Sequence, residues 1–390
     1  MLQIRKLRQV DYFFLLVMIA YTFDFGNLKY AMAWCFSAVY FLGSGLYEKR
    51  RLKGIGKEYL LIFGGITFLL VITAILQMIN GFNSYAINEA VYYYTPLFFI
   101  IVYSQISDEQ DVETILNYLF VLYIVAFFKN FAGQLTLANI KSISFANSYS
   151  PFESELAFVF LIFECFYLYM GKRKKAIISL ILCILSFKRI CMLVAISFFV
   201  LSKWLIQKKP VSKKMVFATV IIFVLLPTLT CVMLNDAFEA WFYQTFHITL
   251  YEATLSRSSR IEAVMNSGQI KYGLGSVTTY LTRYLNTMHG SNFASRSMHN
   301  DLVQMYLECG ILGSIVFTYV YMKAASVNRM SFALICYVFF ECYFNHLFGA
   351  GCTHIWVLIY LMMSITGMTT RNGENDGEEN GTNYSFYTDI

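Results

Sequence analysis

Charged side chains are scarce in this chain: Asp, Glu, Lys and Arg make up 14% of its 390 residues, whereas 58% are hydrophobic. One soluble core could not bury so much apolar surface, so the composition excludes an ordinary globular domain. The mean hydropathy of +0.55 predicts an all-α polytopic integral membrane protein. The apolar runs are continuous and long enough for helices, which excludes the alternating strands of a membrane barrel.

Several other features are missing, and each absence excludes a class of protein. The nine cysteines lie in or beside apolar runs without paired spacing, so neither a disulfide framework nor a metal site is predicted. No small-x-small cleavage site follows the first apolar run, which favours an uncleaved first span. The net charge of +6 lies in short clusters between apolar runs, a pattern typical of membrane topology and not of nucleic-acid binding.

Membrane-spanning helices need about 20 mostly apolar residues. Twelve segments come close to this, at residues 10–26, 28–46, 59–80, 90–105, 114–131, 153–170, 176–187, 190–206, 215–234, 301–322, 330–347 and 351–367. With a cytoplasmic N-terminus, the clusters of Lys and Arg at 48–57, 171–175, 207–214 and 323–329 fall on cytoplasmic connections. This is where the positive-inside rule expects them.

The seventh and eighth segments are separated by Lys188 and Arg189 alone. One long helix would place the basic clusters at its two ends on opposite sides of the membrane, so two short spans that turn at the outer face are predicted. The chain then has four parts: nine spans over 1–234, a large exterior loop over 235–300, three spans over 301–367 and a disordered cytoplasmic tail over 368–390.

The exterior loop is the polar part of the chain, and its charge is basic. Against the single acid Glu262, the stretch from 253 to 300 carries Arg257, Arg260, Lys271, Arg283 and Arg296. Positive charge outside a membrane runs against the usual bias, so it indicates an anionic partner, and Arg is suited to phosphate. The plain alternative is a solvated loop or one that binds lipid head groups.

Local patterns divide this loop into short elements. Residues 236–250 predict an amphipathic helix that lies on the outer leaflet, because aromatic side chains favour that depth. Ser256 is the predicted N-cap of a helix that begins at Arg257 and carries Arg260 on the same face. A tight turn follows at residues 272–276, where two glycines allow close backbone approach.

The loop ends in a motif at the mouth of the tenth span. His299 and Asn300 stand at the start of the helix, Gly310 and Gly313 lie deeper, and Glu308 lies between them. Taken singly, a histidine at a helix start is commonly an interfacial residue, and a pair of glycines is commonly a helix-packing feature. Together, at this spacing and after an Arg-rich loop, they predict a functional site.

The combination resembles the bacterial O-antigen polymerase and O-antigen ligase superfamily. The resemblance is carried by three motifs, which are His299-Asn300-x9-Gly310-x2-Gly313, Arg260 followed by Gly273-Leu-Gly275-Ser, and Ser186-Phe-Lys-Arg189. The predicted topology, with both termini inside and one dominant exterior loop before the last three spans, extends the resemblance to nearly the whole chain.

The resemblance implies a metal-independent glycosyltransferase of the bacterial inner membrane that uses no cofactor. Its implied partners are undecaprenyl-diphosphate-linked oligosaccharide repeat units and membrane lipids, with a chain-length regulator protein as a further candidate and no nucleic acid. As a polymerase, it would move the growing glycan from its carrier onto an incoming lipid-linked unit at the periplasmic face.

The resemblance also implies roles for individual residues. Arg260 and Arg189 are the first candidates to hold the diphosphate, and Arg257 and Arg296 are further ones. The imidazole of His299 is a candidate to orient or deprotonate the acceptor hydroxyl. Glu308 is an alternative base, or the partner of a buried cation, because an ionised acid inside a membrane should be paired.

Two other functions stay open. An O-antigen ligase, which transfers the finished glycan to lipid A-core, shares the motif and is not separated from a polymerase by the sequence. A lipid-linked oligosaccharide flippase or a transporter would also need many helices and buried charges. It would place its ionisable residues along a central path and keep its exterior loops short, so the large loop favours surface catalysis.

The predicted sidedness can be measured with reporter fusions. Fusions after Met170 and Gln207 should report cytoplasm, and a fusion after Thr287 should report the exterior, because the basic clusters fix the first two points inside. A cytoplasmic signal at Thr287 would contradict the assignment of the polar loop to the outer face.

Overall fold

The computed structural model describes residues 7–47, 56–134, 136–142, 153–207, 209–254, 257–268, 270–289 and 298–365. Within these ranges every regular element is a helix and there is no strand. The predicted N-cap Ser256, the candidate Arg296 and the tail over 368–390 lie outside them.

The helices follow one another along the chain with short connections. Their bounds are α1 Gln9–Thr22, α2 Leu28–Tyr47, α3 Lys57–Asn80, α4 Tyr85–Ile106, α5 Glu109–Ala132, α6 Leu137–Lys141, α7 Leu156–Tyr169, α8 Arg173–Leu185, α9 Arg189–Val200, α10 Ser202–Leu205, α11 Lys213–Met233, α12 Asp236–Phe246, α13 Leu250–Ala253, α14 Arg257–Asn266, α15 Ser276–His289, α16 Asp301–Ala325, α17 Arg329–Phe344 and α18 Thr353–Ile365. A 3₁₀ turn at Ala350–Cys352 precedes α18.

Four of these helices, α3, α5, α11 and α16, are long and apolar enough to cross a membrane. The helices α1, α7, α9 and α18 are apolar but shorter. The all-α fold and the membrane character predicted from composition are therefore present in the described part of the chain. The count of twelve spans and the side on which each loop lies stay predictions.

The predicted break between the seventh and eighth apolar segments is present. The helix α8 ends at Leu185 and α9 begins at Arg189, and between them Phe187 takes a left-handed backbone conformation with φ of 51°. Such a conformation cannot continue a right-handed helix. The chain therefore turns here, and α8 and α9 pack against each other.

Loops that the sequence assigns to one side of the membrane contact each other. On the predicted cytoplasmic side, the Val211 N–H donates to the Ser326 carbonyl at 2.9 Å. On the predicted outer side, the Ser154 N–H donates to the Ser186 carbonyl at 3.1 Å. Both contacts agree with the predicted alternation of loops.

The helix bundle has a buried central helix and a second packing centre on α16. In α7 every residue from Ala157 to Tyr169 is buried, and this helix packs on α5, α8, α9 and α17. The helix α16 packs on α3, α11 and α17. A Cβ at Gly65 of α3 would lie 2.6 Å from a methyl group of Val320, so the absence of a side chain lets α3 approach α16.

The helix α16 is interrupted at Gly310, whose φ of 68° and ψ of −172° are not helical. A break of this kind frees carbonyl groups in the preceding turn, and a buried carbonyl without a donor is costly. The polar loop supplies the donors: the Lys271 N–H binds the Leu307 carbonyl at 2.6 Å, and the Gly273 N–H binds the Glu308 carbonyl at 2.9 Å. The loop is therefore attached to the membrane helix by backbone hydrogen bonds.

The tight turn predicted at 272–276 is inserted between α16 and the ends of α3 and α4. Gly273 and Gly275 both have left-handed φ values, of 88° and 78°. A Cβ at Gly275 would lie 2.7 Å from the backbone carbonyl carbon of Tyr85, and one at Gly273 would lie 3.0 Å from the Cα of Thr73. Both positions therefore require glycine for conformation and for space.

The helices of the exterior loop rest on the bundle through a small apolar core of their own. Its buried members come from α11, α14, α15, α16 and the residue before His299, and they are Cys231, Ile261, Val264, Val277, Leu281, Met298, Val303 and Leu307. The predicted amphipathic helix is α12; its residue Trp241 is 51% exposed, and no residue of α12 is buried.

The turn provides a test of this packing. We expect Gly275→Ala to lower the apparent melting temperature in detergent, because its Cβ meets the backbone of α4 in addition to the strain of about 1 kcal/mol for an L-residue in this conformation. Gly268→Ala is the matched control, since Gly268 has a similar φ of 70° and nothing within 4 Å of its Cβ position. Equal losses in the two variants would show that the turn is not inserted between the helices.

Candidate functional site

Two arginines of the exterior loop lie on one face of α14. The described residues of this helix span Arg257–Asn266, and Arg260 lies one turn after Arg257; both side chains are half-buried. Burial lowers the pKa of both guanidinium groups, and the neighbouring charge of Arg260 lowers the pKa of Arg257 further. Arginine stays charged nonetheless. Two guanidinium groups that are partly removed from water repel each other. A bound anion would offset this repulsion.

Arg257 borders a largely apolar cleft with a volume of about 300 Å³. The cleft lies between the ends of α11 and α17, the loop helices and the start of α16. The residues that line it are Thr230, Met233, Leu234, Phe238, Leu250, Ala253, Thr254, Arg257, Ser258, Ile261, Asn300, Tyr343 and Phe344. The cleft is therefore suited to an apolar ligand with an anionic group at one end.

His299 and Asn300 stand beside this cleft, at the start of α16. The side chain of Asn300 accepts a hydrogen bond from the Val303 N–H at 3.0 Å and so caps the helix. His299 is half-buried and has a left-handed φ of 54°, a strained conformation of the kind that is common at functional sites. Burial, followed by the charge of Arg260, lowers the pKa of His299 to about 4. Its imidazole is therefore neutral at pH 7 and can accept a proton.

A second histidine lies next to this place; from the sequence, His346 is one of several in-membrane ionisable residues that are unranked candidates for a glycan cavity or for helix pairing. Nδ1 of His346 lies 2.5 Å from a carboxylate oxygen of Asp301, and the other oxygen accepts hydrogen bonds from the N–H groups of Leu347 and Phe348 at 2.6 and 3.0 Å. Asp301 is thus the partner that fixes the ring of His346 and the backbone of the two residues that follow it.

Glu308 has a structural role in addition to the predicted alternative of a base, which stays a prediction. Its carboxylate accepts a hydrogen bond from the Val277 N–H at 3.0 Å and one from the amide of Gln304 at 3.2 Å. Val277 lies in the first turn of α15, so Glu308 satisfies one of the N–H groups that a helix start leaves open. Among the described residues, these hydrogen bonds to the buried acid come from backbone and amide donors.

The two glycines of the motif serve the break in α16. Gly310 carries the non-helical conformation, and the side chain of Lys271 passes 3.8 Å from its Cβ position. A Cβ on Gly313 would lie 2.3 Å from the Cβ of Cys309, because the break brings these positions together. The close approach of two helices is at Gly65, not at this pair.

Two sequence candidates for the diphosphate remain, Arg189 and Arg296. Arg189 is exposed at the start of α9. Its neighbour Lys188 is the more buried of the two and lies 3.9 Å from a carboxylate oxygen of Glu153. Arg296 lies outside the described residues.

A third acid, Glu89 of α4, completes the buried polar group. Its side chain is 6% exposed, and it interacts electrostatically with His346, Asp301 and Glu308. The sequence places Glu89 and Asp301 more than two hundred residues apart. The packing of α4 against α15 and α16 brings Glu89 and Asp301 together. No spacing of residues in the sequence predicts this contact.

Below this polar group lies a layer of buried aromatic rings. Phe348 stacks on Trp356 with ring centroids 4.2 Å apart, and its ring lies 4.9 Å from Tyr93 and 5.1 Å from Phe317. Tyr321 in turn lies 5.4 Å from Trp356. Among the described residues, this layer fills the space between the polar group and the middle of the bundle.

The role of Glu308 can be tested by substitution. Glu308→Gln keeps an oxygen for the Val277 N–H, so we expect turnover of the proposed reaction within about an order of magnitude of wild type, whereas loss of a general base costs about 10²–10⁴-fold. Glu308→Leu should lower thermal stability, because an unsatisfied buried N–H costs about 1–3 kcal/mol. A stable but inactive Glu308→Gln protein would restore Glu308 as the base.

Comparisons with known proteins do not extend this reading. Neither the scan against protein-family models nor the search of curated proteins finds a match to the chain. The resemblance to the polymerase and ligase superfamily therefore rests on the sequence motifs and stays an expectation.

Proposed function

We propose that the protein is a membrane glycosyltransferase that polymerises O-antigen or a related surface polysaccharide. It transfers the growing glycan from an undecaprenyl-diphosphate carrier onto an incoming lipid-linked repeat unit at the outer face of the bacterial inner membrane. The observation that carries the proposal is the joint position of Arg257, Arg260 and a neutral His299 beside a mainly apolar cleft at the end of the bundle.

The cleft and its arginines match the parts of a lipid-linked donor. About 300 Å³ is at the small end of ligand pockets, so the cleft suits the part of an isoprenoid next to the diphosphate, with the remaining tail in the bilayer. Arg257 at its border, with Arg260 one turn away, would hold the diphosphate by charge-assisted hydrogen bonds.

The reaction needs one bond to break and one to form at the anomeric carbon of the donor. The bond from this carbon to the diphosphate oxygen breaks, and its electron pair leaves with the diphosphate. The acceptor hydroxyl oxygen forms the new bond, and its proton passes to the neutral imidazole of His299 and then to water. Fixed cations beside the leaving group stabilise the charge that develops on it.

A ligase uses the same chemistry with lipid A-core as the acceptor, so it stays the nearest alternative. A flippase or transporter is less well supported. The ionisable groups around His299 lie near the end of the bundle, and buried aromatic rings such as Phe317 and Phe348 lie below them. A continuous polar path would be expected in a transporter.

The proposal is tested with the full-length protein in liposomes, supplied with lipid-linked repeat units. We expect Arg260→Ala to reduce chain extension about 10²–10³-fold and His299→Ala to reduce it about 10²–10⁴-fold with little change in binding of the lipid substrate. Arg283→Ala is the control, because Arg283 is an exposed basic residue of the same loop and should keep wild-type activity.

The products distinguish the alternatives. Oligosaccharides of increasing length on the lipid carrier support a polymerase, and transfer that occurs only when lipid A-core is added supports a ligase. Movement of intact lipid-linked units between leaflets without any new glycosidic bond supports a flippase. Wild-type activity in both Arg260→Ala and His299→Ala would remove the proposed site.

A further inference from the structure

We infer that the aromatic face of α12 lies in the outer lipid leaflet, and that this contact with lipid holds in place one wall of the cleft beside Arg257. The partner is the bilayer itself, and the surface that meets it is formed by Phe238, Trp241, Phe242 and Phe246. The lipid contact does not depend on the proposed function. The use of this wall by an isoprenoid diphosphate rests on that function.

The four aromatic side chains form one continuous face along α12. Counted from Phe238, the others follow at three, four and eight positions, which places them on one side of a helix. Their rings contact each other: the centroids of Phe238 and Trp241 are 5.4 Å apart, and those of Phe242 and Phe246 are 4.8 Å apart. No residue of α12 is buried in the protein, so a contiguous apolar face of this size indicates another partner.

Along α12 this face passes from the cleft to the outside of the bundle. Phe238, in the first turn of the helix, is half-buried and lines the cleft. Trp241 and Phe246 are exposed. The first turn of α12 is therefore a wall of the cleft, whereas the later turns present the same face away from the protein.

The surface that continues this face belongs to α11, which is long and apolar enough to cross a membrane. Only Leu234 and Asn235 separate the end of α11 from the start of α12. On α11, exposed apolar residues form one stripe that reaches its last turn, at Leu225, Leu229 and Val232. Lipid that covers this stripe therefore reaches the start of α12. Helices with Trp and Phe on the apolar side are typical of the membrane interface.

The charge of α12 determines what kind of lipid contact this is. The helix has two acidic residues, Asp236 and Glu239, and no basic one. Attraction to anionic head groups therefore contributes nothing, and burial of the aromatic rings has to hold the helix in the interface. The contact should accordingly persist at high salt, which screens only charges, and should not depend on the fraction of anionic lipid.

Within the protein, α12 is held weakly. It packs on the short helix α13, and it ends at His247, whose left-handed φ of 55° stops the helix. A segment with few buried contacts opens at low cost. The rings that lie in lipid therefore supply the contacts that keep Phe238 at the cleft, so the cleft is complete only in a bilayer.

Tryptophan fluorescence of the full-length protein in nanodiscs measures the lipid contact. The chain has four tryptophans, so the difference between wild type and Trp241→Phe isolates the signal of Trp241. We expect lipids brominated near the head-group end of the acyl chain to quench this signal, and aqueous iodide to leave it nearly unchanged. Quenching by iodide and not by brominated lipid overturns the inference. Protection from both quenchers also overturns it, because a second copy of the chain would then cover this face.

A matched pair of substitutions tests the hold on the cleft. Phe246 and Tyr243 are both 54% exposed, but only Phe246 belongs to the aromatic face. We expect Phe246→Asp to speed hydrogen exchange of the amides in α12 and α13, because a carboxylate does not enter an apolar environment. Binding of undecaprenyl diphosphate in nanodiscs should weaken about tenfold, since fewer molecules have a complete cleft. Tyr243→Asp should change neither quantity.

The outcomes separate the inference from the proposed function. Equal effects of the two substitutions on hydrogen exchange, or no effect of either, overturn the role of lipid in holding the wall. Faster exchange in Phe246→Asp alone, in a protein that binds no undecaprenyl diphosphate, supports the lipid-held wall and removes the isoprenoid as the ligand of the cleft.

Discussion

The break in α16 at Gly310 is the feature on which the rest of the site depends. A continuous helix would use the carbonyl groups of Leu307 and Glu308 within itself. The break releases them, and the N–H groups of Lys271 and Gly273 take their place. The carboxylate of Glu308 then caps α15. The polar loop is thereby attached to α16 by backbone and side-chain hydrogen bonds.

This attachment determines where the charges lie. The apolar core around Ile261 and Val277 sets α14 and α15 on the ends of α11 and α16, and Arg257 then borders the cleft that Asn300 also lines. Cations fixed by the fold need no reorganisation when negative charge develops beside them, which is why such groups are effective in catalysis. Burial, followed by the charge of Arg260, lowers the pKa of the neighbouring His299 below its usual value.

The sequence predicted correctly those turns and helix ends that depend only on neighbouring residues. The glycine turn at 272–276 and the break before Arg189 both depend on neighbouring residues, and both are present. The pair of Asp301 and His346 could not be predicted in this way. The two residues are forty-five positions apart, and their contact depends on how α17 returns to the start of α16. Glu308 was recognised as a buried acid in need of partners, but backbone partners leave no pattern in a sequence.

The position of the polar group at the ends of the helices has a physical reason. Groups such as Glu89, Asp301 and His346 need hydrogen bonds and opposite charges when they leave water. The turns around residues 271–277 and 345–349 offer backbone N–H groups that a helix interior does not offer. Aromatic packing of Phe348 on Trp356 closes the bundle below them. These donors and the polar side chains they bind therefore lie at the ends of the helices and not among the aromatic rings of the bundle.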